Sequence, residues 1–251
     1  MKRAETWLVS FLLAASVLGV TAPGTFAARA DVWSNSDAFK TACVGFNDTY
    51  PQAMYSLAAA QMAKLGYSPM YGAVGSSFTR TAFMSAVFPD FAVYVHSHGD
   101  NYWASSGYPN VDSAFLQDPG AGACNSSSRD MVRSSAIKAA TRGTPYNLVV
   151  MSTCELGSAS STMPGAFQIA KSKSSSRREF YLGYVNTTYD SSAYRFENAF
   201  WTYLNGAPNH TRTVYQAFTY AQSIGGYASP DAANPFQANW WGNPSYNGTP
   251  G

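Results

Sequence analysis

The 251-residue sequence predicts an α/β fold, a three-layer αβα sandwich around a mostly parallel central sheet. Three observations lead there. Short apolar runs bounded by turn residues alternate with segments of helical spacing, the order expected of βα units. The two strongest runs, Phe91-Ala92-Val93-Tyr94-Val95 and Leu148-Val149-Val150-Met151, are apolar throughout, as strands buried on both faces require. Each of them then ends in reactive side chains, His96-Ser97-His98-Gly99 after the first and Ser152-Thr153-Cys154-Glu155 after the second. In open α/β sheets, ligands gather beyond the carboxyl ends of the strands, so the two endings point to one site.

The elements follow in order. Residues 1–30 read as a secretory signal, with Lys2 and Arg3 at its start and an apolar stretch over 7–20 too short to span a bilayer. Ala28-Arg29-Ala30 fits a small-residue cleavage site that leaves Asp31 first; a cut after Ala27 fits nearly as well. Residues 31–227 are then one domain. A first strand is expected over 42–46. Asn47-Asp48-Thr49 and Pro51 open a helix whose stripe is Met54, Leu57, Ala58, Met62 and Leu65, and Gly66 ends it. A weak strand over 70–74 and a helix over 80–88 precede the His98 run. Residues 100–128, rich in Gly, Ser, Asn and Pro, read as a long irregular lid or binding loop. A helix over 129–140 leads to the Cys154 run. A short helix over 164–170 and a strand over 179–185 come next. Two helices carry the stripes Tyr194, Phe196, Ala199, Phe200, Tyr203, Leu204 and Val214, Ala217, Phe218, Ala221. Residues 228–251 read as a Pro/Asn/Gly-rich tail lying over the core as coil, frayed at its end.

Composition narrows the function. The formal charge of +2 belongs to the whole chain; without residues 1–30, which hold Lys2, Arg3, Arg29 and Glu5, it is neutral. A neutral domain lacks the basic footprint of a nucleic-acid binder. After signal cleavage no apolar run is long enough to span a membrane, so the chain is expected to be secreted, extracellular or in the cell envelope, without a membrane partner. Its three cysteines, Cys43, Cys124 and Cys154, are an odd number. With Cys154 kept for chemistry, Cys43 and Cys124 form the disulfide; a bridged Cys154 and three inert thiols are the alternatives.

The endings resemble the signature of the caspase, legumain, gingipain and clostripain group of cysteine peptidases, and of bacterial secreted caspase-like proteins most closely. In that group one strand ends in His-Gly, as at His98-Gly99, and a later one in the nucleophilic Cys, as at Cys154-Glu155-Leu156-Gly157-Ser158. Thr153 and Leu156 depart from the legumain-style block. Gly183-Tyr184 and Phe200-Trp201 fit the downstream pattern. The resemblance covers residues 40–224. It implies a caspase-like fold and a cysteine endopeptidase acting on a protein or peptide substrate. Cys154 is then the nucleophile, His98 the proton-transfer residue, and the backbone N–H groups of Gly99 and Cys154 the oxyanion hole. A thiol beside an imidazole is equipment enough for that chemistry. Asp100, Glu155 and Asp190 are the acidic residues available to bind a basic substrate side chain. The sequence calls for no cofactor and no metal; calcium is compatible with it and indicated by nothing.

Other readings of the same residues stay open. A non-catalytic relative that keeps the fold as a binding protein is the main alternative. His96-Ser97-His98-Gly99-Asp100-Asn101 also resembles a metallo-hydrolase signature, with Asn101 where a ligand histidine belongs. The blander reading puts His96 in the packing of the sheet. Ser152-Thr153-Cys154 also resembles the sortase block, but the helical stripes oppose a β-barrel. Lys171-Ser172-Lys173-Ser174-Ser175-Ser176-Arg177-Arg178 is a flexible basic stretch where caspases are processed; a solvated surface loop is its simpler reading. Trp103, Tyr108, Trp201, Trp240 and Trp241 either line a cleft or pack.

Overall fold

The computed structural model describes residues 28–34, 50–68, 70–87, 91–102, 112–116, 131–141, 143 and 145–250. Nine strands and six α-helices lie among them. In chain order they are β1 (Ala30–Ser34), α1 (Pro51–Lys64), β2 (Met70–Val74), α2 (Arg80–Ala86), β3 (Ala92–His96) and β4 (His98–Tyr102). Next come β5 (Asp112–Leu116), β6 (Met131–Arg133), α3 (Ser134–Thr141), β7 (Leu148–Ser152) and α4 (Met163–Ala166). The chain closes with β8 (Phe180–Tyr184), α5 (Asp190–Asn205), α6 (Val214–Ile224) and β9 (Ala238–Gly242).

The six-stranded sheet runs β2-β1-β3-β7-β8-β9. All its pairings are parallel except β8 with β9. Alternation along each strand divides its side chains between two cores. Val32, Tyr94, Val150, Leu182 and Trp240 pack with α1, α5 and α6 on one face. Trp33, Val93, Val95, Val149, Met151, Tyr181 and Trp241 pack with α2, α3 and α4 on the other. The predicted three-layer α/β architecture is therefore the observed one. Thr213 starts α6 with a reciprocal capping box through Gln216, which satisfies backbone donors at the helix start.

Three elements differ from the sequence reading. Ala30–Ser34 is a strand inside the sheet, paired with both β2 and β3. Ser68 N–H donates to Ala28 O at 2.9 Å and Phe91 N–H to Arg29 O at 3.2 Å, so the strand is held from its approach onward. A domain boundary at residue 31 cuts into it. The strand expected over 42–46 lies outside the described residues, as do Cys43, Cys124, Trp103 and Tyr108.

Part of the expected irregular loop is a second, antiparallel sheet, β4-β5-β6. The chain bends at Ser97 and passes directly from β3 into β4, so His96 and His98 stand in different sheets.

The C-terminal segment is not coil throughout. β9 adds the sixth strand, and Trp240 and Trp241 lie on its opposite faces. Trp240 stacks on Phe180 at 5.5 Å and Trp241 meets Tyr181 at 5.6 Å. The end is anchored: the Arg178 guanidinium donates to Thr249 O and Pro250 O at 2.9 and 3.0 Å. Losing one buried Trp costs about 3–5 kcal/mol, and a whole domain holds only about 5–15 kcal/mol. A chain ending at Gln237 is therefore expected to lose cooperative urea unfolding, followed by circular dichroism. A sharp transition in that truncation would show that β9 is dispensable.

Candidate functional site

The site lies at the carboxyl edge of the parallel sheet. β3 and β7 pair with His96 opposite Ser152, and Ser97 N–H donates to Ser152 O at 3.4 Å. His98 is two residues beyond the end of β3, and Cys154 two beyond the end of β7. The step between them is taken by Gly99. A Cβ built there would stand 2.6 Å from Cys154 O and 2.8 Å from Thr153 Cβ. Only a residue without a side chain lets the two backbones approach so closely.

The turn after β7 is locked to the next strand as well. Gly157 N–H donates to Tyr184 O at 2.6 Å, and a Cβ on Gly157 would lie 2.2 Å from Gly183 O. Asn101 of β4 pins the same turn through its amide, which donates to Glu155 O at 2.9 Å and Ser158 Oγ at 2.8 Å. Glu155 takes a left-handed φ of 62°. A bulky non-glycine residue held there is backbone strain next to the thiol.

Cys154 is half-buried and unbridged. Thr188 N–H donates to its sulfur at 3.4 Å, and the thiol faces Thr188 O at 4.0 Å. Burial pushes the thiol up to about 11; the Thr188 N–H opposes the shift, while the carboxylates of Asp190, Glu155 and Asp100 add to it. Burial also raises Glu155, helped by Asp100, whose charge and shared hydrogen bond act in the same direction. The three acids singled out in the sequence thus all act on the thiol. Only Glu155 among them lines the adjoining cleft.

That cleft, about 320 Å³, is bordered by Asn101, Glu155, Ser158, Asn186, Thr187 and Asp231, among others. Asp231 and its neighbour Asn234 come from the segment read as tail. Asp231 is exposed, and hydrogen bonds from the Asn234 amide and Ala233 N–H hold its carboxyl below the usual range. Thr188, Asp231 and Asn234 were not legible in the sequence, since none belongs to a motif.

His96 is buried against α5 at 2% exposure. Its Nδ1 lies 3.2 Å from Ser152 Oγ and its Nε2 3.8 Å from Asp190 Oδ1. No group of three or more His, Cys, Asp or Glu that could hold a metal occurs among the described residues.

The basic stretch from Lys171 to Arg178 is tied down rather than flexible. Gly242 N–H donates to Ser172 O at 2.7 Å and Ser175 N–H to Gly242 O at 3.2 Å. Lys171 and Lys173 lie over the rings of Trp241 and Trp240. Trp201, Trp240 and Trp241 are core residues rather than a cleft lining.

These elements define a caspase-like fold. Eight chains of solved structures match it. One is the crystal structure of gingipain R, an Arg-specific cysteine proteinase, with a TM-score of 0.52 and 13% sequence identity. The match covers 87% of this chain and 46% of that one, so this chain spans about half the length of the structure it resembles. At this identity the likeness is one of fold. No family model matches the sequence, and no curated protein matches it.

The elevated thiol makes a signed prediction. Alkylation needs the thiolate. Modification of Cys154 by iodoacetamide should therefore be slow at neutral pH and rise along a curve centred above the roughly 8.5 of an ordinary cysteine. Mass spectrometry of the Cys154 peptide across pH measures it. A midpoint below that value would contradict the described surroundings of the sulfur.

Proposed function

We propose that this chain is a secreted cysteine-dependent endopeptidase in which Cys154 attacks the scissile carbonyl and His98 moves the proton. The observation that carries the reading is the backbone contact of Gly99 with Cys154, because it joins the residue after His98 to the nucleophile itself. The backbone N–H groups of Gly99 and Cys154 are the oxyanion donors in this reading. Such donors contribute about 3–4 kcal/mol each where they have been removed from other hydrolases. The thiol rests protonated, so His98 accepts its proton as the sulfur attacks and returns it to the leaving amine. Asp100, Glu155 and Asp231 make the neighbourhood of the cleft acidic, which favours a basic residue on the amino side of the cut bond. The Arg-specific neighbour agrees with that preference. The proposed partner is a protein or peptide, with no nucleic acid, no membrane and no cofactor.

One observation favours the second reading, a non-catalytic secreted binding protein with this fold. A thiol pushed up to about 11 and engaged with the Thr188 backbone is poorly nucleophilic at rest.

Hydrolysis separates the two. Wild type should cleave fluorogenic peptides with Arg or Lys before the scissile bond. Cys154→Ala and His98→Ala should each abolish cleavage, and the double variant should be little worse than either, because the two act as a unit. His96→Ala should keep Cys154 as the alkylated nucleophile. No cleavage by wild type of any basic peptide would favour the binding protein, and cleavage surviving Cys154→Ala would end the cysteine reading.

Export is the remaining part of the proposal. β1 begins at Ala30 and is anchored at Ala28 and Arg29. Cleavage after Ala27 keeps the strand whole, whereas cleavage after Ala30 removes its first residue. N-terminal sequencing of secreted material should return Ala28. Met1 would refute processing, and Asp31 would show that β1 tolerates trimming. The Cys43–Cys124 disulfide belongs to the same proposal and to an oxidising compartment.

A further inference from the structure

Helix α5 lays two acids, Asp190 and Glu197, on one face, seven residues and so about two turns apart. Asp190 faces His96 at the end of β3, and Glu197 reaches deeper, to Tyr94 in the middle of that strand. Glu197 is fully buried. It accepts from Tyr94 Oη of β3 at 2.7 Å and from Tyr184 Oη of β8 at 2.7 Å. Burial raises its carboxyl, and Ser152, Tyr184, Tyr94 and the charge of His96 oppose that rise. Ser152 in turn meets His96 Nδ1, and His96 Nε2 faces Asp190. The imidazole thus stands between the Ser152 hydroxyl and the Asp190 carboxyl, which is 31% exposed. A carboxylate facing Nε2 favours a proton on that nitrogen.

We propose that His96 is a positioning residue that screens Asp190: held by Ser152 on one side, it faces the Asp190 carboxylate on the other and keeps that charge from opposing a thiolate on Cys154. This rests on reading Cys154 as a reactive thiol. Asp190 has the largest effect among the acids acting on the sulfur, ahead of Glu155 and Asp100, and Glu197 is not among them. The sequence gives no hint of this role, since His96 alone reads as a packing residue.

The test is the pH profile of Cys154 alkylation by iodoacetamide in the full chain, which needs no peptide hydrolysis. His96→Gln should shift the curve upward and slow alkylation below the midpoint by about tenfold, the change in thiolate fraction for one pH unit. Asp190→Asn should shift it downward. In the Asp190→Asn background, His96→Gln should have no further effect, because the carboxylate it screens is gone. If His96→Gln does not fold, Ser152→Ala, which removes one bond to the imidazole and leaves its volume, should slow alkylation in the same direction.

A shift with His96→Gln that persists in full beside Asp190→Asn would overturn the proposal. So would an Asp190→Asn or Ser152→Ala profile identical to wild type. A purely structural His96 lowers the melting temperature without this coupled, signed pattern. The expected pattern in a protein that cleaves no peptide removes the peptidase reading alone. A wild-type thiol inert at every pH removes both.

Discussion

The contact between Gly99 and the Cys154 carbonyl is the constraint around which the site is arranged. A parallel sheet places strand ends side by side, but a pair of strands does not by itself bring the segments beyond them together. Here the chain leaving β3 turns at Ser97 into a second sheet, and the chain leaving β7 turns at Glu155 in a left-handed conformation. The two departures touch because Gly99 has no side chain. Gly157 and Gly183 make the equivalent contact on the far side, against β8. The thiol-bearing turn is therefore clamped between its neighbours by backbone, which is stiffer than any side-chain contact and insensitive to rotamer changes. Asn101 completes the clamp from β4, which explains why this second sheet exists where it does.

The same edge concentrates polar groups that the core must tolerate. A carboxyl buried as completely as Glu197 is costly unless several donors reach it. The donors are Tyr94, in the middle of β3, and Tyr184, the last residue of β8, so satisfying the carboxyl also fixes these two strands relative to each other. Removing one partner would leave a buried acceptor unmatched, a penalty of about 1–3 kcal/mol and more for a charge. Packing and electrostatics here enforce a single arrangement of these strands. The polar network therefore supports the geometry that the apolar cores on either face only roughly determine.

Much of this was legible in the sequence, and the parts that were not have physical reasons. β3, β7 and β8 are short apolar runs, and strands buried on both faces announce themselves that way. Cys154, His98 and Gly99 stand at their ends. β1 escaped because Ala28-Arg29-Ala30-Asp31 carries small and charged residues that suit a processing site as well as a strand. β4 escaped because His98-Gly99-Asp100-Asn101 has the composition of a loop; its pairing with β5 is stabilised by tertiary contacts rather than by propensity. β9 is two tryptophans among Asn and Gly, a pattern too short to separate from coil. Asp190 was visible as an acid, but its partner could not be read, since the contact joins a helix start to a strand end across 94 positions. The contribution of Asp231 and Asn234 to the cleft is likewise a matter of how the last segment folds back.

The charges around the sulfur connect these observations to chemistry. Asp190, Glu155 and Asp100 disfavour a thiolate in the resting protein. In the proposed reaction the same carboxylates favour positive charge nearby. They stabilise an imidazolium on His98 once the proton has moved, and they attract a basic side chain in the cleft bordered by Glu155 and Asp231. On that proposal, a basic group bound there would offset the carboxylates that add to the effect of burial on the thiol, so substrate binding would ease proton transfer from Cys154. Specificity and reactivity then have one electrostatic origin. On that proposal the resting thiol stays neutral, and a basic ligand drawn by the acidic surroundings would also ease its ionisation.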